Sequence, residues 1–72
     1  MEQITIRDSF IKLGQACKLA GFAGSGVDAK MMIQNGEVSV NGQVCTMRGK
    51  KLIDGDVFTF AGKSYSIKSS EV

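Results

Sequence analysis

The sequence predicts an α+β fold in which two helices pack on a small, mostly antiparallel β-sheet, and three observations predict it. Apolar residues alternate at strand period near both ends of the chain, at Ile4 and Ile6 and again at Phe58, Phe60, Tyr65 and Ile67. Helical stripes lie between them: Phe10, Leu13, Cys17 and Ala20 in one segment, Ala29, Met32 and Ile33 in another. The stretch 25–42, SGVDAKMMIQNGEVSVNG, joins the two patterns as a capped helix, a stop, a short strand and a tight turn.

Seventy-two residues make one domain, 1–72. A chain so short buries only about 60% of its unfolded surface, which leaves one small core and no deep catalytic cleft. The net charge of +2 is too small an excess to name a partner, so the placement of the cations carries more weight than their number.

Taken in order, EQITIR reads as a strand. Asp8 or Ser9 then caps helix one, whose apolar arc runs from Phe10 to Ala20. Ile11 and Leu19 fall off that arc, either exposed or covered by the first strand. Gly14 lowers helix propensity by about 1 kcal/mol, so its value is close approach by a neighbouring backbone. Residues 21–24 turn the chain between the helices. Ser25 with Asp28 three residues on has the form of a capping box. Asn35-Gly36 stops helix two, because glycine enters a positive-φ C′ conformation without a Cβ clash.

Val38 and Val40 form a strand, and Asn41-Gly42 is the strongest short-range hairpin signal. A two-residue turn pairs Val40 with Gln43 and Ser39 with Val44. That leaves Val44 on the face opposite Val38 and Val40, which needs either a bulge or a sheet covered on both faces. Residues 47–55 read as a loop anchored by Leu52 and Ile53. In the last hairpin a Gly62-Lys63 turn pairs Phe60 with Tyr65 and Phe58 with Ile67, all on one face. Nothing in residues 69–72 calls for order.

Enzymatic constellations are missing from the sequence. There is no histidine, so no Ser-His or Cys-His pair and no imidazole metal ligand. Asp54 and Asp56 flank a turn glycine and read as turn residues. No glycine-rich phosphate loop of either common spacing occurs. Neither a cofactor nor a metal is expected. MEQITIRD lacks the basic and apolar regions of a signal peptide, and no apolar run approaches the roughly 20 residues needed to span a bilayer. The expectation is a cytoplasmic protein whose Cys17 and Cys45 are free thiols, a disulfide between them being the alternative.

The cations are more informative. Lys30 lies off the core stripe of helix two, with Gln34 one turn on. Arg48, Lys50 and Lys51 cluster in one loop, and Lys12 lies away from the core arc of helix one. Either this is a solvated basic face or it is a polyanion site.

Lys12-Leu13, Gly21, Ser25, Ala29-Lys30, Ile33, Gly36-Glu37-Val38-Ser39-Val40-Asn41-Gly42 and Gly55-Asp56 stand in the order and spacing of a known pattern. Over about residues 10–60 the chain resembles the RNA-binding domain named after ribosomal protein S-four, the alpha-L motif. It is especially similar to the small stand-alone bacterial members of the YbcJ type, in Leu13-Gly14-Gln15, Ser25-Gly26 and Arg48-Gly49-Lys50-Lys51-Leu52. Gly26 stands where the family often has arginine, and Lys30 keeps a charge but not the bidentate geometry of an arginine.

The resemblance implies a non-catalytic module that binds structured RNA, ribosomal or transfer RNA among the candidates, by shape and backbone charge. It implies contacts from Lys12, Ser25 and Lys30 on the helices, from Gln34 and Gly36 at the end of helix two, and from Arg48, Lys50 and Lys51 in the loop. Gln34 and Asn41 would reach sugar or base edges, Asn41 having a pure turn role as its alternative. The other reading is a protein-interaction module that kept the fold and lost strong RNA affinity.

Overall fold

The computed structural model describes residues 1–70, and its first strand, β1 (Glu2–Ile6), lies where the alternation predicts it. The next segment departs from expectation. Residues 10–12 form β2 (Phe10–Lys12), which pairs antiparallel with β5 (Lys51–Ile53) in a two-stranded ribbon. Helix α1 (Leu13–Leu19) begins only after it, and neither Asp8 nor Ser9 caps it; Lys12 is the N-cap and makes no side-chain cap bond. The cap comes from elsewhere in the chain. Leu13 N–H donates to Lys50 O at 2.8 Å and Gly14 N–H to Arg48 O at 3.0 Å, so loop carbonyls satisfy first-turn amides that would otherwise be orphaned. The ribbon also settles Ile11, which is buried with Leu52, whereas Leu19 is exposed. Ile53 is exposed as well, so Leu52 alone of the expected pair anchors the loop.

Helix α2 (Gly26–Gln34) starts and stops where its signals predict, with one half of the expected capping box formed. Asp28 N–H donates to the Ser25 hydroxyl at 3.2 Å. At the other end Gly36 has φ +77°, Gly36 N–H donates to Ile33 O and Glu37 N–H to Met32 O. Those two bonds together are a Schellman stop. Strands β3 (Val38–Val40) and β4 (Gln43–Val44) then pair in the expected register through a turn with positive φ at Asn41 and Gly42. Val44 needs neither a bulge nor a second covering layer, because it is exposed and leans over Gly36.

The last hairpin joins β6 (Val57–Phe60) to β7 (Lys63–Ser69) with a register two residues from the expected one. Phe60 pairs with Lys63 and Phe58 with Tyr65, and the turn is Ala61-Gly62, both at positive φ. A shift of two preserves the faces, so Phe58, Tyr65 and Ile67 are still buried together. On the opposite face the shifted register sets Thr59 against Ser64, whose hydroxyls lie 3.0 Å apart.

The main sheet has order β1-β7-β6-β3-β4, antiparallel except for the β1–β7 pair. Ser69 and Ser70 are ordered against expectation: Ser69 N–H donates to Asp54 Oδ1 at 2.8 Å and Ser70 N–H to Ile6 O at 2.8 Å. The remainder of the expected loose tail, 71–72, lies outside the described residues.

Both helices bury one stripe on the sheet, Leu13, Ala16 and Cys17 from α1, Ala29 and Ile33 from α2. Phe22, from the connection between the helices, stacks on Phe60 at 4.3 Å between ring centroids. That contact holds the inter-helix turn on the sheet and so sets the start of α2.

Candidate nucleic-acid interface

The loop between β4 and β5 is the hub of the exposed cationic surface. Lys50 N–H donates to Met47 O at 3.1 Å, closing a turn with Arg48 and Gly49 at its centre. The carbonyls of Arg48 and Lys50 are those that cap α1, so this exposed loop is fixed against the helix start by backbone bonds. Gly14 is where the two backbones meet. A Cβ there would lie 3.6 Å from Arg48, in ordinary contact, so the approach is close without excluding a side chain.

A cleft of about 300 Å³ results, lined by Lys12, Gly14, Gln15 and Lys18 from the start and body of α1, by Arg48 and Gly49 from the loop, and by Gly26 at the start of α2. Its cations come from the two ends of α1, Lys12 at the N-cap and Lys18 in the last turn, and from Arg48 in the loop, and no carboxylate lines it. Free amides at the start of α2 add positive potential at one wall. Along α2, Gly26, Lys30 and Gln34 recur at i, i+4 and i+8 and share a stripe. Asp28 and Glu37 border a different depression, with Phe22, Met31 and Asn35.

Like charges are also set side by side. Lys12 and Lys51 are direct cross-strand partners in the β2–β5 ribbon, an arrangement that costs stability when no anion intervenes. Lys51 Nζ sits 4.7 Å above the Phe10 ring, which offsets part of that cost. Among the described residues no lysine or arginine ion-pairs with a carboxylate. The carboxylates of the β5–β6 turn are occupied structurally: Asp54 accepts from Ser69 N–H, and Asp56 accepts from Ile53 N–H and from the Asn41 side chain.

The residues singled out in the sequence therefore fall into groups. Lys12 and Arg48 meet in the cleft, and Ser25 stands at its edge next to Gly26 with its hydroxyl already accepting from Asp28 N–H. Lys30 and Gln34 are exposed on the stripe that leads away from it. Lys51 lies over Phe10, and Lys50 borders a second groove with Asn41 and Gln43. Gly36 forms the helix stop. Asn41 is held through both atoms of its amide, Nδ2 donating to Asp56 at 3.2 Å and Oδ1 accepting from Val57 N–H at 3.0 Å. Gln15 and Lys18 line the cleft without having been singled out. Lys18 follows Gly14 by one helical turn on the face away from the apolar arc, a signal available in the sequence.

The two thiols differ in place: Cys17 lies in the core, and Cys45 lines the groove beside Lys50. Cys17 is fully buried, and burial pushes its thiol up to about 11, so it stays protonated and unreactive. Cys45 is half-buried and also free. Among the described residues no cluster of histidine, cysteine or carboxylate side chains could hold a metal, and no helix is long and apolar enough to cross a membrane.

Known proteins share both the sequence and the architecture. Escherichia coli YbcJ is 37% identical over 57 residues, covering 79% of this chain and 81% of YbcJ. Bacillus subtilis RlbA, named a probable ribosome maturation protein, is 42% identical over 59 residues, covering 82% of this chain and 83% of its own. The solution structure of E. coli YbcJ, described as revealing an αL motif involved in RNA binding, superposes with a TM-score of 0.72 at 31% identity, covering 96% of this chain and 89% of that one. The 30S ribosomal protein S4e of Thermoplasma acidophilum shares the fold at a TM-score of 0.62 and 22% identity, over 83% of this chain and 32% of its own. The S4 domain pattern matches residues 4–68, nearly the whole chain, and with two helices on a mostly antiparallel sheet in the YbcJ arrangement, the chain belongs to the S4 domain family.

Proposed function

We propose that this protein binds structured RNA without catalysing a reaction, by receiving phosphates in the cleft between α1, α2 and the 45–50 loop. The observation that carries the reading is the convergence of Lys12, Lys18 and Arg48 on one cleft with no carboxylate in its lining. Such a surface attracts a polyanion and is costly to assemble without one. Lys30 and Gln34 extend the contact along α2, Ser25 and the first amides of α2 meet a phosphate at its edge, and Lys50 and Lys51 continue it past the loop. Gly36 lets the backbone come close at the end of α2, and Asn41 presents its turn to the sugar edge while its amide holds the hairpin. Ribosomal RNA is the favoured class, given the relative named for ribosome maturation, and the place of action is the cytoplasm.

A protein partner is the second reading. Val27 and Met31, one turn apart on α2, and Leu19 on α1 are large, exposed and apolar. The two readings separate by titrating a hairpin RNA into the protein at several salt concentrations. Phosphate binding gives log K falling linearly with log salt, with a slope set by about three to five phosphates. No affinity at low salt, or affinity indifferent to salt, would leave the protein-partner reading in its place.

A further inference from the structure

On the far side of the 45–50 loop lies a groove of about 380 Å³ whose lining has a composition of its own. Val44 and Met47, each 66% exposed, form apolar walls. Gln43 and Thr46 add hydrogen-bonding groups, and Lys50 stands at the rim without a carboxylate in the lining. The turn closed by Met47 and Lys50 separates this groove from the cation cleft, sending Arg48 and Gly49 to one and Met47 and Lys50 to the other.

We propose that the groove takes one unpaired nucleobase of the RNA whose phosphates occupy the cleft, which makes the preferred ligand a helix interrupted by a bulge or loop. The inference rests on the RNA-binding reading above. Charge selects the occupant. A groove with the apolar side chains of Val44 and Met47 set among the polar groups of Asn41, Gln43, Cys45 and Thr46, with a lysine and no carboxylate in its lining, fits a base carried on an anionic backbone. A base still in a helix presents only its edge, whereas an extruded base offers a face to aliphatic side chains and a Watson–Crick edge to Gln43 and Thr46. Val44 and Met47, the most exposed apolar residues of this edge of the fold, would be covered by it.

The test uses two hairpin RNAs with the same stem, one fully paired and one with a single unpaired pyrimidine, titrated into the whole chain at fixed salt. Wild type should bind the bulged RNA about fivefold more tightly, the scale expected for covering a small apolar surface. Val44→Thr with Met47→Gln, both at exposed positions, should abolish that preference and leave affinity for the paired stem unchanged. Lys12→Ala with Arg48→Ala should weaken both RNAs equally and keep the preference. Equal binding of the two RNAs by wild type overturns the base site and leaves phosphate binding standing, with a protein as the remaining occupant of the groove. Absence of binding to either RNA overturns both readings.

Discussion

Cys17 shows how much a single position in this small core weighs. It is fully buried on α1 among apolar neighbours, so Cys17→Ser places a hydroxyl there with no partner and should cost about 1–3 kcal/mol in denaturant unfolding. RNA affinity of the folded fraction should not change; lost affinity with an unchanged unfolding curve would give Cys17 a role outside the core. The thiol also makes a pH prediction. Its folded pKa is raised by burial from 9.0 to about 11, so its contribution is complete below 9.0 and is lost as pH rises toward 11, where the unfolded chain has already released the proton. Compared with Cys17→Ala, wild-type stability should decline more steeply across that window, and parallel curves would contradict the assignment. Positions read by local chemistry were legible in the sequence: Ser25, Gly36, Asn41 and the buried Cys17 each obey a rule that spans a few residues. Leu19 and Ile53 could not be placed so well, because their exposure depends on which strand or loop covers them.

Elements were legible where their boundary signals are local. Helix α2 carries its own cap and stop, and the structure places both where the sequence does. Gly36→Val puts a β-branched side chain at φ +77° in the Schellman stop, with a Cβ 3.5 Å from Val44 Cγ1, and should cost at least about 2 kcal/mol in thermal or chemical unfolding. A cost under about 0.5 kcal/mol, the range of ordinary surface changes, would mean the stop is not strained. Helix α1 was not legible at its start because its cap is supplied by carbonyls more than thirty residues away, at Arg48 and Lys50, and the same loop recruits residues 10–12 into a ribbon. The last hairpin misled for a different reason. Its turn puts Ala61 at φ +52°, a conformation that alanine enters at a cost, so glycine at position 62 drew the expected turn one residue late. Ala61→Gly should therefore raise stability by up to about 1 kcal/mol, a test read as a shift in denaturation midpoint. Loss of stability on that change would contradict the strained turn.

At the scale of the whole molecule, the packing of the 45–50 loop on the start of α1 brings Arg48 together with Lys12 and Lys18, which lie far from it in sequence. The order of the S4-type motifs pointed to this surface, and Lys12 and Arg48 were both in view. Their meeting in one cleft with Lys18 was not, since it follows from the loop capping α1, a contact with no local sequence signal. Net charge alone would draw RNA weakly and without a site, so the central claim is one of place. Its most direct test is the affinity of a single structured RNA for two charge-matched variants at fixed salt, each first shown to be folded by circular dichroism. Lys12→Glu with Arg48→Glu reverses two charges at the cleft; Lys63→Glu with Lys68→Glu reverses two on β7, outside the cleft lining. The cleft variant should lose at least about tenfold more affinity than the β7 variant, a difference of about 1.4 kcal/mol. Equal losses would show that RNA answers only to net charge and would contradict the site.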